Sequence, residues 1–288
     1  MRQRIFAILG LGLLLATPAA GADGPALWSI EGRSNSVYLF GSIHLLRPGE
    51  FEIQGKLAEA YEDAEAIYME VDLDDLSPLE MAAGVSGWAI DPEGRTLDEL
   101  MGPKADEAHA LAADAGIDLA LLAHFEPWFA GLTVVSLTLA QDGYSGAAGV
   151  DQRVQALAAR DGKQISGLET LDEQFAALDS MDEQSQREFL LKSLTDVRRA
   201  RESVATLLTA WRDGDDAALA DELATEFERE PALYQSLIVD RNRNWTDQIE
   251  QLLDDDDDYL IIVGALHLVG ADGLPAMLRA RGIRVERH

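Results

Sequence analysis

The chain of 288 residues contains no cysteine, so disulfides and thiolate ligands are excluded, and any metal would have to rest on His, Asp, Glu or carbonyl oxygens. Basic residues are scarce: 23 Lys and Arg stand against 52 Asp and Glu, a formal net charge of −29. That balance disfavours nucleic acid and anionic membrane surfaces as partners. Pro- or Ser-rich linkers and tandem repeats are missing, so no boundary between independent domains can be drawn. The chain also lacks HExxH, a GxSxG elbow and a Gly-rich phosphate loop, which removes the helix-borne zinc protease, the serine hydrolase elbow and the phosphate-binding loop as templates.

Long apolar runs are missing too. The best candidate, IFAILGLGLLLA at residues 5–16, is shorter than the roughly 20 residues that span a bilayer. It follows Arg2 and Arg4 and precedes the small residues AGA at 20–22, which reads as a secretory signal cleaved after Ala22. No stable membrane insertion is expected, and the mature protein, residues 23–288, is expected in the periplasm or outside the cell. The run DDDDD at 254–258 reads as a solvated loop, because it lacks the interleaved Gly and terminal Glu of a calcium-binding loop.

Short apolar or alternating runs predict strands at 27–31, 36–44, 66–73, 164–169, 259–267 and 283–288. Residues 55–65 predict a helix linking the second and third strands as in a βαβ crossover. The region 96–160 reads as wholly helical, with a helix opening at Glu126-Pro127. Capping boxes are predicted at Thr170/Glu173 and Ser180/Glu183, and amphipathic helical stretches at 182–212 and 231–253. The expected fold is α/β: a mixed or mainly parallel sheet made from both ends of the chain, with helical insertions at about 75–160 and 170–255.

Two segments repeat one pattern more than two hundred residues apart, YLFGSIHLL at 38–46 and IIVGALHLV at 261–269. Each carries Gly, a small residue, an aliphatic and then His. Alternation along a strand puts Ser42 with His44 on one face and Ala265 with His267 on one face. Each His falls near the C-terminal end of its strand, where α/β sheets bind ligands. Gly41 and Gly264, three residues earlier, would allow something to approach the backbone closely. His109, His124 and His288 lack the pattern and read as structural.

A metal site built on two imidazoles needs a third ligand and an open position. Glu70, inside the apolar strand at 66–73, supplies a carboxylate that is costly to bury unless paired or coordinating. Glu169 ends the strand at 164–169, where a helix N-terminus would also favour an acid. Arg241, Asn244 and Gln248 are spaced for one side of a helix, and Arg241 could bind a carboxylate or stabilise an oxyanion.

These residues resemble the TraB/GumN family, related to the Tiki metalloproteases and marked by two GxxH motifs, here GSIH (41–44) and GALH (264–267). YMEVDL, EPW, GVDQ, GLETLDEQ and DRNRNW are further landmarks in the family's order, and the resemblance runs through essentially the whole mature chain. It implies a site of His44, His267, Glu70 and Arg241, with Glu169 and Asp151 as further family positions. It also implies peptide-bond hydrolysis dependent on a divalent metal, manganese or cobalt first, with zinc as an alternative. The expected reading is a metal-dependent hydrolase of a peptide or small-molecule substrate. His44, His267 and Glu70 would hold the ion, the remaining Glu would be general base, and Arg241 would stabilise the oxyanion. The alternatives are a protein that sequesters a peptide, metal or haem without turnover, and an esterase-like hydrolase that needs no metal.

Overall fold

The computed structural model describes residues 24–72, 78–195, 197–228 and 230–288. The predicted signal segment at 1–22 lies outside them. Six strands, β1 (Leu27–Glu31), β2 (Ser36–Ser42), β3 (Ala66–Val71), β4 (Gln164–Glu169), β5 (Tyr259–Gly264) and β6 (Glu286–Arg287), form one sheet in the order β4-β3-β5-β2-β1-β6. The four strands β4, β3, β5 and β2 run parallel, and β1 joins β2 antiparallel. The fold is therefore α/β with a mainly parallel sheet.

The C-terminal strand β5 lies between β2 and β3. The helix α1 (Gly55–Asp63) accordingly links two strands that are separated by one position, and the last parallel strand to be made fills it. Its sequence YLIIVG is apolar throughout because both of its faces are covered, as in central parallel strands. On one face Phe40, Ile67, Met69, Leu260 and Ile262 pack together. On the other, Trp28, Leu39, Ile261 and Val263 pack against Trp245 and Ile249.

Between β3 and β4 the chain forms α2 (Pro78–Ala89), α3 (Leu97–Met101), α4 (Ala105–Ala115), α5 (Pro127–Gln141) and α6 (Val150–Asp161). Between β4 and β5 it forms α7 (Leu171–Asp179), α8 (Glu183–Thr195), α9 (Val197–Arg212), α10 (Asp216–Glu226), α11 (Pro231–Tyr234) and α12 (Arg241–Leu252). α13 (Leu274–Ala280) precedes β6. A separate apolar cluster including Leu97, Met101, Leu122, Val134, Leu190 and Leu194 joins α3, α5 and α8, so this helical part carries its own core. Among the described residues no helix is long and apolar enough to cross a membrane.

Several predicted boundaries move. β2 stops at Ser42 rather than residue 44, and β5 stops at Gly264 rather than 267. Ser42 pairs with Gly264 as the last rung between them, and β3 pairs with β5 only as far as Ile262. With no partner beyond Gly264, residues Ala265–Leu268 turn into a short 3-10 helix, so strand alternation does not govern Ala265 and His267. The Thr170/Glu173 capping box forms as expected. That at Ser180/Glu183 does not: Ser180 still closes α7 in helical conformation, and its hydroxyl donates back to Ala177 O at 2.7 Å. Asp182 takes over, its carboxylate accepting the Ser185 N–H at 2.7 Å. The aspartates at 254–258 are tied to the β1–β2 turn: Asn35 Nδ2 donates to Asp257 O, and Asp258 Oδ1 accepts from Ser36 N.

Candidate functional site

Four parallel strands end side by side, and each delivers a polar group to the same edge: Glu169 from β4, Glu70 from β3, the turn carrying His267 from β5, and His44 just past β2. The two GxxH glycines serve this edge differently. A Cβ on Gly41 would meet Ala265 Cα at 2.9 Å and Ala265 Cβ at 3.1 Å, so Gly41 lets β2 lie against the turn that follows β5. A Cβ on Gly264 would instead stand 3.2 Å from Glu70 Oε1, 3.6 Å from His267 Cδ2 and 3.7 Å from His44 Nε2. Both imidazoles and one carboxylate therefore surround a single point that glycine leaves open.

Each imidazole is fixed through Nδ1. Asn242, fully buried, donates through Nδ2 to His267 O at 3.1 Å and Asp272 O at 2.7 Å, so its Oδ1 must accept, and His267 Nδ1–H donates to it at 2.7 Å. The Nε2 lone pair of His267 is left facing inward, and Arg241 Nη1 donates to it at 3.1 Å. Burial pushes the pKa of His267 down to about 3 against the pull of Glu70, and Arg241 and His44 push the same way as burial. His267 is neutral.

His44, just past the end of β2, has 61% of its side chain exposed. Its Nδ1–H donates to Asp151 Oδ2 at 2.8 Å, and Ser42 Oγ donates to the other oxygen, Oδ1, at 2.8 Å. Desolvation opposes the proton, but Asp151 prevails through charge and hydrogen bond, and the pKa rises to about 9.

Glu70 is buried, with Oε1 accepting the Gly264 N–H at 2.7 Å and Oε2 accepting from Arg241 Nη2 at 2.6 Å and Gln174 Nε2 at 3.1 Å. Burial alone would raise its pKa, but the charges of Arg241 and His44 and the Gly264 amide hold it below the ordinary carboxylate range. Glu169, whose side chain is also nearly enclosed, goes the other way: burial raises its pKa and outweighs the opposing hydrogen bond and charge of Arg241.

Arg241 binds the group together. Nε donates to both oxygens of Glu169 at 3.1 and 3.0 Å, Nη2 to Glu70 Oε2 at 2.6 Å and Glu169 Oε1 at 2.7 Å, and Nη1 to Leu237 O and His267 Nε2, each at 3.1 Å. A guanidinium has five N–H groups, and every one is engaged. A single π-helical turn, Gln235–Asp240, precedes Arg241. The Arg241 backbone N–H turns to Ile238 O there, which leaves a lone pair of Leu237 O for the guanidinium. Trp245, fully buried, lies beneath: its ring is 4.6 Å from the Arg241 guanidinium and 4.6 Å from the His267 ring.

His44, Glu70, Glu169, Arg241 and His267, all named from sequence, thus meet at one edge. Gln248 does share a side with Arg241 and donates to Leu168 O at 2.7 Å, whereas Asn244 is exposed. Sequence reading passed over Asn242, Gln174 and Trp245. Asn242 was detectable as a polar residue in the stripe it shares with Trp245, Thr246 and Ile249, all buried. His109 and His288 bond elsewhere, to Asp98 and Ser29.

The class defined by this fold and site is an α/β protein with a polar cleft of two imidazoles, two carboxylates and one guanidinium across the C-terminal ends of its parallel strands. The chain belongs to the TraB/PrgY/gumN family, whose sequence profile matches residues 26–287. It is 22% identical over 246 residues to the Escherichia coli K12 protein YbaP, described as uncharacterized, which covers 84% of this chain and 87% of that one. The protein of the same name from Shigella flexneri matches to the same extent. No solved structure matches the chain.

Proposed function

We propose that the protein is an exported hydrolase that cleaves an acyl bond, a peptide bond first, in the cleft above Gly264, with a divalent ion held by His44, His267 and Glu70. Manganese and cobalt are the leading ions and zinc the alternative. The observation that carries this reading is the convergence of two imidazoles and Glu70 Oε1 on the point left open by Gly264. The donor set fits: both Nδ1 atoms are anchored to oxygen acceptors, the outer-shell arrangement that presents Nε2 to a metal, and Glu70 is held ionised. Among the described residues no three such side chains already stand in ligating geometry, and Arg241 occupies the His267 lone pair. Small rearrangement of that one contact is therefore part of the proposal.

When bound, such an ion polarises a carbonyl and activates water. The protein's own groups do the rest. Glu169, the carboxylate whose pKa is raised, accepts the proton from the attacking water and returns it to the leaving group. Arg241, paired with Glu70 at 2.6 Å and Glu169 at 2.7 Å, is the group assigned to the developing oxyanion. Glu169 also borders a cavity of about 620 Å³ with Val71, Asp72, Leu168 and Asp172, where part of a substrate could lie. Residues 1–22, read as a signal segment, support export.

The test is bound-metal stoichiometry in moderate salt, because the excess of acids holds divalent ions loosely anywhere. About one tight ion per chain, lost in a His44→Ala/His267→Ala variant, is expected; equal metal in both proteins would overturn the reading. The His44–Asp151 pair favours a second reading, hydrolysis without metal, in which the neutral form of His44, populated as pH rises toward about 9, takes the proton of water under the orienting hold of Asp151. Turnover that survives chelation would select it.

A further inference from the structure

Arg241 sits where a cation is wanted. Its guanidinium reaches Glu70 Oε2 at 2.6 Å and His267 Nε2 at 3.1 Å, two of the three side chains assigned to the ion, and it also neutralises Glu169 at 2.7 Å. A guanidinium against the lone pair of a neutral imidazole is not the partner an isolated arginine would choose, since its other contacts are carboxylate and carbonyl oxygens. The contact persists because the π turn and the Trp245 ring fix the fork, and its Nη1 edge then falls on His267.

We propose that Arg241 is a built-in counter-cation that competes with the divalent ion for Glu70 and His267 and so sets the affinity and occupancy of the site. The inference rests on the ligand set proposed above and deepens it. Without an ion, Arg241 keeps two buried carboxylates and an imidazole lone pair satisfied, which stabilises the empty site. When the ion is taken up, Arg241 loses the Nη1 bond to His267 and keeps those to Leu237 O and Glu169. One N–H, previously engaged, becomes free beside the reacting bond. That Nη1 N–H of Arg241 would be the oxyanion donor that the resting arrangement lacks.

Removing Arg241 should therefore make ion binding tighter, against the usual effect of removing a site residue. Manganese binding is measured by electron paramagnetic resonance of the free ion, for the wild-type protein, Arg241→Gln and Arg241→Lys, with the His44→Ala/His267→Ala variant defining diffuse binding. Circular dichroism checks folding. Arg241→Lys retains the charge that the buried carboxylates need, yet an ammonium with three donors cannot hold Glu70, Glu169, Leu237 O and His267 at once. Arg241→Gln is expected to bind the ion at least about tenfold more tightly than wild type, as loss of a competing charge at contact distance implies, and Arg241→Lys, which gives up the contact with His267 but keeps the charge, more tightly than wild type by a smaller factor. An ion held by the wild type and bound equally or more weakly by the variants would overturn the counter-cation role while leaving the ligand set standing. No site-specific ion in any of the proteins would overturn both.

Discussion

Gly264→Ala separates the stability of this protein from its chemistry. The backbone at Gly264, φ −52° and ψ 135°, is open to any L-residue, so no torsional strain is introduced. The added methyl would stand 3.2 Å from Glu70 Oε1, which requires a yield of a few tenths of an ångström and weakens the 2.7 Å bond that Oε1 accepts from the Gly264 N–H. Part of that charged hydrogen bond, worth about 1.5–3 kcal/mol in all, is lost. Replacing Gly with Ala recovers about 0.4–1 kcal/mol by restricting the unfolded chain. The net change in stability is therefore about 1 kcal/mol or less. The same methyl lies 3.6 and 3.7 Å from the two imidazoles and fills the point on which they converge. Turnover should fall about a hundredfold or more, as for an ångström-scale displacement of reacting groups, and the tight ion should be lost. Urea unfolding and metal titration on the same sample give both numbers. A variant that keeps its ion and activity would refute the placement of the site above Gly264. One that unfolds at far lower urea would refute the claim that this glycine is there for room rather than for the backbone.

Gly41→Ala should do the reverse, because its Cβ would press on the main chain of Ala265 at 2.9 Å; a loss of about 1–3 kcal/mol in urea unfolding is expected from overpacking. Asn242→Ala removes the acceptor of His267 Nδ1–H and two donors to carbonyls, so a loss of about 2–5 kcal/mol is expected, together with a change in the His267 tautomer seen by 15N NMR. Acid should destabilise the protein through two groups of the site. His267, with its folded pKa lowered to about 3, lets the unfolded chain take up the proton first as pH falls below 6.5, and Glu70, lowered to about 2, loses its contribution as pH falls below 4.5. His44 acts in the opposite sense: it favours the fold below pH 6.5, and that contribution disappears as pH rises through about 9. Unfolding free energy followed from pH 7 to pH 4 should fall less steeply in His267→Gln than in wild type; parallel curves would count against the neutral, buried imidazole.

Much of the fold was legible because burial leaves a periodic trace. The apolar YLIIVG of β5 announced a strand, and the matching GSIH and GALH placed His44 and His267 near strand ends before any contact was known. Glu70 stood out as an acid in an apolar strand, and the Thr170/Glu173 box fixed the start of α7. These are local signals, carried by side-chain alternation and by the few residues that can cap a helix.

What tertiary structure alone decided is which of those groups meet. Sequence could not show that β5 slides between β2 and β3, and it is this order that brings His267 between Glu70 and His44. Nor could spacing separate Asn242 from Asn244, because the choice depends on how far α12 is rotated against the turn that carries His267. The two motif glycines look alike in the chain, yet one faces a neighbouring backbone and the other a cleft. Periodicity reports whether a position is covered. What covers it, at which distance and with which charge, is set by segments hundreds of residues away, and the pKa values of His44, His267, Glu70 and Glu169 follow from those neighbours rather than from the residues themselves.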